Sequence, residues 1–515
     1  MKKTILLLTL IFGFISTAYS LEVVELKLSQ SNIIVIKLMF RNGSSADPKG
    51  KEGLTSMTAS NIAEGGTISM KSTEIRDKIY PWAASYSVST DKEVTIFTFS
   101  VHKDHLDKFY PILRDLILQP GFSEEDFRRI KSNQQNYIDE VIRTSSDEEF
   151  SKKALEGFLF RGSRYEHPVG GTSEGVKNCT IEDVKKHYTA FFSKDNLTLG
   201  IAGSYAPGFL EQLKNDLNKL PSIKTPLPEM AIPRIPNGIE VEIISKEGAL
   251  GSAIFAGFPM NLTRANDEFV ALMIANSWLG EHRKSYSRLY QKIREQRSMN
   301  YGDYSYIEWY NNGGGNMLPR PGYVRNSNYF SIWIRPVQTA KGLKAQYEEL
   351  KDIETGHAHF ALRMAIREME QLINGGLTAE DFELTRTFLR SYIKLYAQTP
   401  EQQLGYLMDS KFYGRKNWLL EADRLLENCT LEKVNTIMKK HWQTRNFFIS
   451  IVTDKSEAIP LARSLRDDLV SPMSYSNALK GVLSTAILEE DEIVKSYPMK
   501  VTSVNIIDAN DLFRK

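Results

Sequence analysis

The chain has 515 residues, of which 42% are hydrophobic and 25% are charged, and its formal net charge is +2. This length predicts two to four domains, and the composition is typical of a soluble globular protein with substantial cores. The near-balance of charge excludes the basic surface that binding to nucleic acid or anionic lipid requires. With only two cysteines no disulfide framework is expected. We expect Cys179 and Cys429 to be buried free thiols, with a bridge between them as the alternative.

The N-terminus has the pattern of a signal peptide. Residues 1–3 give a basic start, residues 4–15 an apolar run, and residues 17–20 the small side chains of a cleavage site. The apolar run is shorter than the roughly 20 residues of a membrane-spanning helix, which disfavours an anchor. We therefore predict cleavage after Ser20, export to a bacterial periplasm, and no membrane span after signal cleavage.

Residues 52–60 read Glu-Gly-Leu-Thr-Ser-Met-Thr-Ala-Ser, and Glu-Gly-Gly-Thr follows at residues 64–67. This frame resembles the active-site helix of the insulinase/pitrilysin metallopeptidases, which place His-x-x-Glu-His here to hold zinc and activate water. Ser56, Ala59 and Ser60 occupy these three positions. Alanine cannot act as a base, and two hydroxyls cannot replace two imidazoles. The resemblance therefore implies a peptidase fold that binds no metal.

The family's third zinc ligand is a glutamate on a helix about 75 to 80 residues further on. Asp139 and Glu140 lie in that region of this chain. Two acids without imidazole partners do not make a zinc site, so we expect them to be solvated on the helix surface.

Two segments recur in the same order in both halves of the chain. Residues 121–127 match residues 376–382, and residues 178–184 match residues 428–434. Thr180 and Thr430 occupy the same position in the second pair, and each is predicted to be a helix N-cap. These repeats predict two homologous domains.

Hydrophobic and polar residues alternate at 97–101 and at 330–335, which is the period of a half-buried strand, and long helical patterns follow. We predict an α+β fold of two homologous domains, each an antiparallel sheet covered by helices. The resemblance implies that together they form one half of a clamshell. The predicted boundaries are a signal peptide at 1–20, an N-terminal peptidase-like domain at 21–220, a proline-rich linker at 221–238, a C-terminal homologous domain at 239–470 and a tail at 471–515.

The second half contains a polar helix that begins Ser-Arg-Leu at residues 287–289 and continues through Arg294 towards Tyr301. This segment resembles the substrate-contacting part of the insulinase family, and the resemblance assigns that contact to Arg294 and Tyr301. A guanidinium and a phenol can stabilise the charge that develops on a scissile carbonyl without titrating near neutral pH. The alternative is an amphipathic helix with solvated arginines and a tyrosine packed in the sheet. Ser298 stands where the family usually has glycine.

Several other polar features carry weaker signals. His282 lies near the family's hinge loop, a position from which it can reach substrate. His102 and His105 share a helix face, but the spacing places no acidic third ligand beside them. His357 and His359 lie on different faces of a helix start, and we expect both pairs at the surface or at helix caps. Residues 311–322 are rich in Asn, Gly and Pro without the Gly-Lys-Ser/Thr of a phosphate cradle, so we expect a mobile loop at the rim of a chamber.

Some bacterial members of the family divide the active site between two proteins, one with the zinc ligands and one with the arginine–tyrosine pair. This chain resembles the second kind. We expect a secreted subunit that binds no cofactor, pairs with a zinc-bearing homologue, and donates Arg294 and Tyr301 to hydrolysis of extended peptides. The alternatives are a catalytically inactive pseudopeptidase that acts as a scaffold or peptide-binding subunit, as in respiratory complexes, and a peptide-binding chaperone acting alone.

Overall fold

The fold is built on two sheets, one in each half of the chain. The computed structural model describes residues 21–222, 228–310, 318 and 320–515; the predicted signal peptide and parts of the predicted linker and glycine-rich loop lie outside these residues. The first sheet contains β1 (Glu22–Lys27), β2 (Ile33–Phe40), β3 (Ser85–Thr90), β4 (Thr95–His102) and β5 (Leu197–Gly203), in the order β1-β5-β2-β4-β3. The second contains β6 (Ile239–Lys246), β7 (Ser252–Pro259), β8 (Asp303–Tyr306), β9 (Tyr329–Val337), β10 (Phe447–Asp454) and β11 (Val501–Asp508), in the order β11-β6-β10-β7-β9-β8.

Both sheets are mixed, whereas the sequence predicted antiparallel pairing throughout. β5 is parallel to β1 and antiparallel to β2, and β10 is parallel to β6 and antiparallel to β7. In each domain the first two strands are joined by a short connection and run in opposite directions. A strand inserted between them must therefore be parallel to one and antiparallel to the other. The α+β class with two helix-covered sheets is confirmed.

Helices account for most of the remaining chain. The first half contains α1 (Leu54–Glu64), α2 (Ser72–Ile79), α3 (Leu106–Leu118), α4 (Glu124–Asn136), α5 (Ile142–Thr144), α6 (Asp147–Leu159), α7 (Ser173–Asn178), α8 (Ile181–Phe191) and α9 (Phe209–Leu217). The second half contains α10 (Glu268–Gly280), α11 (Ala340–Gln346), α12 (Ala358–Gly375), α13 (Ala379–Tyr392), α14 (Pro400–Phe412), α15 (Trp418–Glu427), α16 (Leu431–His441), α17 (Lys455–Arg466), α18 (Asn477–Lys480) and α19 (Thr485–Val494). The two predicted N-caps are confirmed: Thr180 accepts from the amide of Asp183, and Thr430 from that of Lys433.

The two domains exchange equivalent helices across their interface. α6 of the first domain packs on β7 and β10 of the second sheet, and α14 of the second domain packs on β1, β2 and β5 of the first sheet. Leu404 and Met408 of α14 share a buried cluster with Val35 and Met39 of β2. Gly200 in β5 makes room for this helix, because a Cβ there would lie 2.3 Å from the Met408 sulfur. The interface is therefore a core common to both domains.

A buried ion cluster fastens the same interface. Arg325 precedes β9 and donates to both oxygens of Asp91, at 2.7 and 2.6 Å, and to Glu156 of α6. Lys92 lies 3.4 Å from Glu156, and the Arg325 guanidinium stacks 4.2 Å from the ring centre of Trp309. All four charged groups are buried. Breaking such a cluster costs far more than breaking surface ion pairs, because it leaves charges in a medium of low dielectric.

The tail after residue 470 joins both domains. Its strand β11 adds to the edge of the second sheet, in parallel beside β6. Residues 509–514, which we call the C-terminal strap, then cross to the first domain. Buried Arg143 donates to the carbonyls of Ala509 and Leu512, at 3.2 and 2.8 Å. The amide of Ser173 donates to the carbonyl of Phe513 at 2.9 Å, and the Phe513 ring packs on Phe150.

The cysteines and the helices can be compared directly with two further expectations. Cys179 and Cys429 are both buried free thiols, as expected. Among the described residues, no helix has the length and apolar character that crossing a membrane requires.

Candidate functional site

Helix α1 carries the degenerate motif and begins at a left-handed glycine. Gly53 has φ +104° and packs against the carbonyl of Gly170, so a side chain at this position would clash. The buried carboxylate of Asp47 accepts from the amides of Gly53 and Thr55 at 2.6 and 2.7 Å, which satisfies two donors of the first turn. The frame recognised in the sequence is thus a well-capped helix.

The three motif positions on α1 point in two directions. Ser56 and Ser60 lie one turn apart on the same face and are half-buried. Ala59 is 0% exposed and belongs to the core of the first domain. A methyl group therefore occupies the position of the family's carboxylate base, and the neighbouring face offers only hydroxyls. These side chains do not fit a zinc ion.

One imidazole contacts α1, and no sequence pattern predicted this contact. His187 of α8 is buried, and its Nε2 lies 3.0 Å from the Thr55 hydroxyl. Burial lowers the pKa of His187 to about 3. In the part of the chain that the structure describes, no group of three or more His, Cys, Asp or Glu side chains is placed to hold a metal ion.

Asp139 and Glu140 lie in a π-helical turn, Tyr137–Val141, that continues α4. Asp139 accepts from Gln135 Nε2 at 2.7 Å and from the Ser173 hydroxyl, while Glu140 is exposed. A cleft of about 740 Å³ separates this turn from the strap and is lined by both acidic and basic groups. Asp139 is thus committed to hydrogen bonds within the protein, and only Glu140 is solvated as the sequence predicted.

Arg294 lies in a second π-helical turn, Tyr290–Glu295. Its guanidinium donates to the Tyr290 hydroxyl and to Glu295, and stacks 4.7 Å from the centre of the Tyr290 ring. About a third of the side chain, 34%, is exposed. π-helical turns inside α-helices frequently occur at functional sites. In this chain one π-helical turn contains Asp139 and Glu140, and the other contains Arg294. The family resemblance implied a role for both of these segments.

Tyr301 lies on the turn that follows and is 78% exposed. Ser298 begins this turn with φ +53°, the left-handed conformation that glycine adopts most easily, and its amide donates to the Arg294 carbonyl at 2.7 Å. Serine at this position therefore adopts a conformation that is more usual for glycine. The alternative interpretation required Tyr301 to pack in the sheet, whereas its phenol is exposed.

The structure keeps the two groups of predicted residues apart. Ser56, Ala59 and Ser60 belong to the first domain, and Arg294 and Tyr301 to the second. The polar contacts of Arg294 stay within its own turn. Within the described chain, no hydrogen bond or ion pair joins the two groups.

Comparison with known proteins agrees with this geometry. Residues 23–173 match the family model "Insulinase (Peptidase family M16)", and residues 178–389 match "Peptidase M16 inactive domain". The chain belongs to the insulinase family. The second match contains Arg294 and Tyr301, and α1 lacks the zinc motif. The chain is therefore an insulinase-family member of the pseudopeptidase type.

The relatives and structural neighbours are distant. The uncharacterized zinc protease YmxG of Bacillus subtilis is 22% identical over 255 residues, 48% of this chain and 59% of that protein. The zinc protease PqqE of Helicobacter pylori is 22% identical over 286 residues, 53% of this chain and 62% of that protein. The chain thus spans about three fifths of the length of these relatives.

Two solved structures share the fold. A peptidase M16 inactive domain from Pseudomonas fluorescens superposes with a TM-score of 0.69 and 17% identity, covering 84% of this chain and 95% of that one. A chain of complex III2 from Candida albicans gives 0.64 and 11%, covering 84% and 93%. At these identities the likeness establishes the insulinase fold alone.

The predicted histidine positions divide into two groups. His102 and His105 lie at a helix cap near the surface, as expected. His357 is the N-cap residue of α12, as the capping prediction expected, but neither His357 nor His359 is at the surface. Both are buried, and His359 Nδ1 lies 2.8 Å from the hydroxyl of Ser464 in α17. His282 is also buried, in a cluster of aromatic rings 4.3 Å from Tyr304, so it does not reach a surface.

Proposed function

We propose that this chain is the zinc-less subunit of a heteromeric insulinase-family peptidase. In this proposal a zinc-bearing homologue supplies the metal, and this chain supplies Arg294 and Tyr301 to the substrate carbonyl. A guanidinium and a phenol that are already oriented stabilise developing negative charge without reorganising during the reaction. The chain alone is then inactive, because no side chain at Ser56, Ala59 or Ser60 can hold zinc or activate water.

The observation that carries the proposal is the contrast between the two domains. The metal half of the family's active site has been replaced by hydroxyls and a buried methyl group. The other half retains an exposed phenol, a partly exposed guanidinium and the left-handed turn at Ser298 that separates them. If the chain had no role in catalysis, we would expect both the zinc-binding residues and the arginine–tyrosine pair to be lost. If the active site is shared with a second chain, we expect only one of the two sets to be lost.

Extended peptides are the substrates that the sheets favour. Among the described strands, β3 lies at the edge of the first sheet and pairs only with β4, and its residues Ser85 and Ser87 are exposed. An extended peptide can add to such an edge through main-chain hydrogen bonds. Binding of this kind reads backbone rather than side chains, so we expect broad specificity for unfolded segments.

A second function is favoured by one observation. The fold matches a chain of complex III2 from Candida albicans with a TM-score of 0.64, compared with 0.69 for the peptidase M16 inactive domain from Pseudomonas fluorescens. A pseudopeptidase that serves only as a scaffold or peptide-binding subunit also accounts for the empty α1. It predicts that Arg294 and Tyr301 have no effect on any hydrolysis.

The experiment mixes the purified chain, starting at Leu21, with the zinc-bearing homologue encoded in the same genome and a quenched fluorogenic peptide library. We expect hydrolysis only when both chains are present. Arg294→Ala or Tyr301→Phe each lowers kcat by about a hundredfold, the usual cost of one lost oxyanion donor. Arg424→Ala and Tyr80→Phe, which change exposed residues elsewhere, are the matched controls and leave kcat unchanged. Rates that are indifferent to Arg294 and Tyr301 would leave only the scaffold.

We further propose that the chain is exported to a bacterial periplasm with residues 1–20 removed. The basic start, apolar run and small residues before Leu21 support this. The intact mass of the protein recovered from a periplasmic fraction tests it: the chain should begin at Leu21. Recovery of an uncleaved chain in the cytoplasmic fraction would contradict export.

A further inference from the structure

The turn that presents Tyr301 is held by one amide side chain. Asn300 accepts from the amide of Gly302 at 3.0 Å through its Oδ1. Through its Nδ2 it donates to Asp303 Oδ1 at 2.7 Å and to the carbonyl of Arg335 at 3.0 Å. One side chain therefore joins the turn to β8 and β9, on both sides of Tyr301.

The backbone of the turn leaves little freedom around these bonds. The Gly302 carbonyl accepts from the amide of Arg335, and a Cβ at Gly302 would lie 2.1 Å from the Tyr304 hydroxyl. The N-terminal end is fixed by the amide of Met299, which donates to the carbonyl of Ile293 at 3.3 Å. Tyr301 is the residue of this turn whose large side chain is almost fully exposed.

Asp303 is the buried acceptor of the Asn300 amide. It is 0% exposed, and its Oδ1 is the acceptor for Asn300 Nδ2. Burial raises the pKa of Asp303 well above its usual range, although Asn300 and Arg335 lower it in part. The Gly302 amide can only donate and the Arg335 carbonyl can only accept. These two groups dictate that Asn300 presents its NH2 group inward and its oxygen to Gly302, and Asp303 Oδ1 accepts in that arrangement.

We propose that Asn300 and Asp303 are positioning residues that act through Tyr301, holding its hydroxyl where the substrate carbonyl will lie. The inference rests on the proposed donor function of Tyr301 and adds residues to which the family resemblance gave no role. A displacement of about 1 Å of a positioned group can cost up to a hundredfold in rate. The Asn300 amide is thus expected to matter for kcat although it touches no substrate.

The test is a double-mutant cycle in the two-chain assay with one quenched peptide. Asn300→Ala should lower kcat by about ten- to a hundredfold and change KM less than threefold. Asn300→Ala combined with Tyr301→Phe should be no slower than Tyr301→Phe alone, because Asn300 acts only through that hydroxyl. Asp303→Ala removes the acceptor oxygen for Asn300 and should lower kcat by about tenfold, without adding to the effect of Asn300→Ala.

The outcomes separate the inference from the function on which it rests. If Tyr301→Phe retains full activity, or the mixture has none, the donor function is refuted and the inference falls with it. If Tyr301→Phe is impaired but Asn300→Ala is fully active, or their effects multiply, the donor function stands and the positioning role is refuted. Should Asn300→Ala not fold, Asn300→Ser serves instead: its shorter hydroxyl can accept from Gly302 but cannot span to Asp303 and Arg335.

Discussion

Removing the guanidinium of Arg325 should destabilise the whole chain. Arg325→Met keeps much of the side-chain volume and the contact with Trp309, but it removes three hydrogen bonds to Asp91 and Glu156. Asp91 loses both bonds from this donor, and Glu156 retains Lys92 at 3.4 Å. Breaking a buried ion pair from one side typically costs 3–5 kcal/mol, so we expect a loss of about 4 kcal/mol in the free energy of unfolding.

The assay is urea unfolding monitored by tryptophan fluorescence and circular dichroism. Because α6 and α14 pack on each other's sheets, we expect both signals to change in one transition. Arg424→Met, at an exposed arginine of α15, is the matched control and should change stability by less than about 0.5 kcal/mol. Adding Asp91→Asn to Arg325→Met should recover much of the loss, since the stranded charge of Asp91 is then removed while Glu156 keeps Lys92 as its partner. If Arg325→Met is no less stable than the control, the interface does not depend on this cluster.

Three further predictions concern other parts of the molecule. Ala59→Glu places a carboxylate in the core of the first domain and should cost at least about 3 kcal/mol, whereas Ser60→Glu on the half-buried face should cost less than about 1 kcal/mol in the same urea assay. Phe513→Ala empties the pocket of the strap and should cost about 3 kcal/mol, with exposed Arg514→Ala as a neutral control; equal midpoints would show that the strap is not anchored there. His187 stays neutral when folded but is protonated in the unfolded chain below about pH 6.5, so its burial lowers stability as pH falls from 6.5 towards its folded pKa of about 3. His187→Gln lacks this pH-dependent loss of stability. The difference in the free energy of unfolding between His187→Gln and the unchanged chain should therefore narrow by about 2 kcal/mol between pH 7 and pH 5. A difference that stays constant would contradict a neutral His187 in the folded chain.

The sequence correctly predicted the features that depend on short segments of the chain. The α+β class, the N-caps at Thr180 and Thr430, and family membership each follow from short patterns. The left-handed turn at Ser298 is an intermediate case. The sequence showed only that serine replaces the family's glycine, and the structure places this serine in a conformation that it adopts less readily than glycine.

The remaining features depend on which elements meet, and periodicity does not encode that. An amphipathic pattern shows that α14 has an apolar face, but not that this face covers the other domain's sheet. The burial of Arg325 follows from the same exchange, that of His187 from the packing of α8 on α1, and that of His359 from the packing of α12 on α17. β11 and the strap have ordinary composition, and only their contacts reveal that they join the domains.

The most direct test of the central claim is the rate of peptide hydrolysis by the two-chain mixture when this chain carries both Arg294→Ala and Tyr301→Phe. Thermal unfolding and co-elution with the zinc-bearing homologue establish first that the variant folds and pairs. We expect complex formation to be intact and kcat to fall by at least about a hundredfold. An intact complex that hydrolyses peptide at the unchanged rate would contradict the claim that this chain supplies half of an active site.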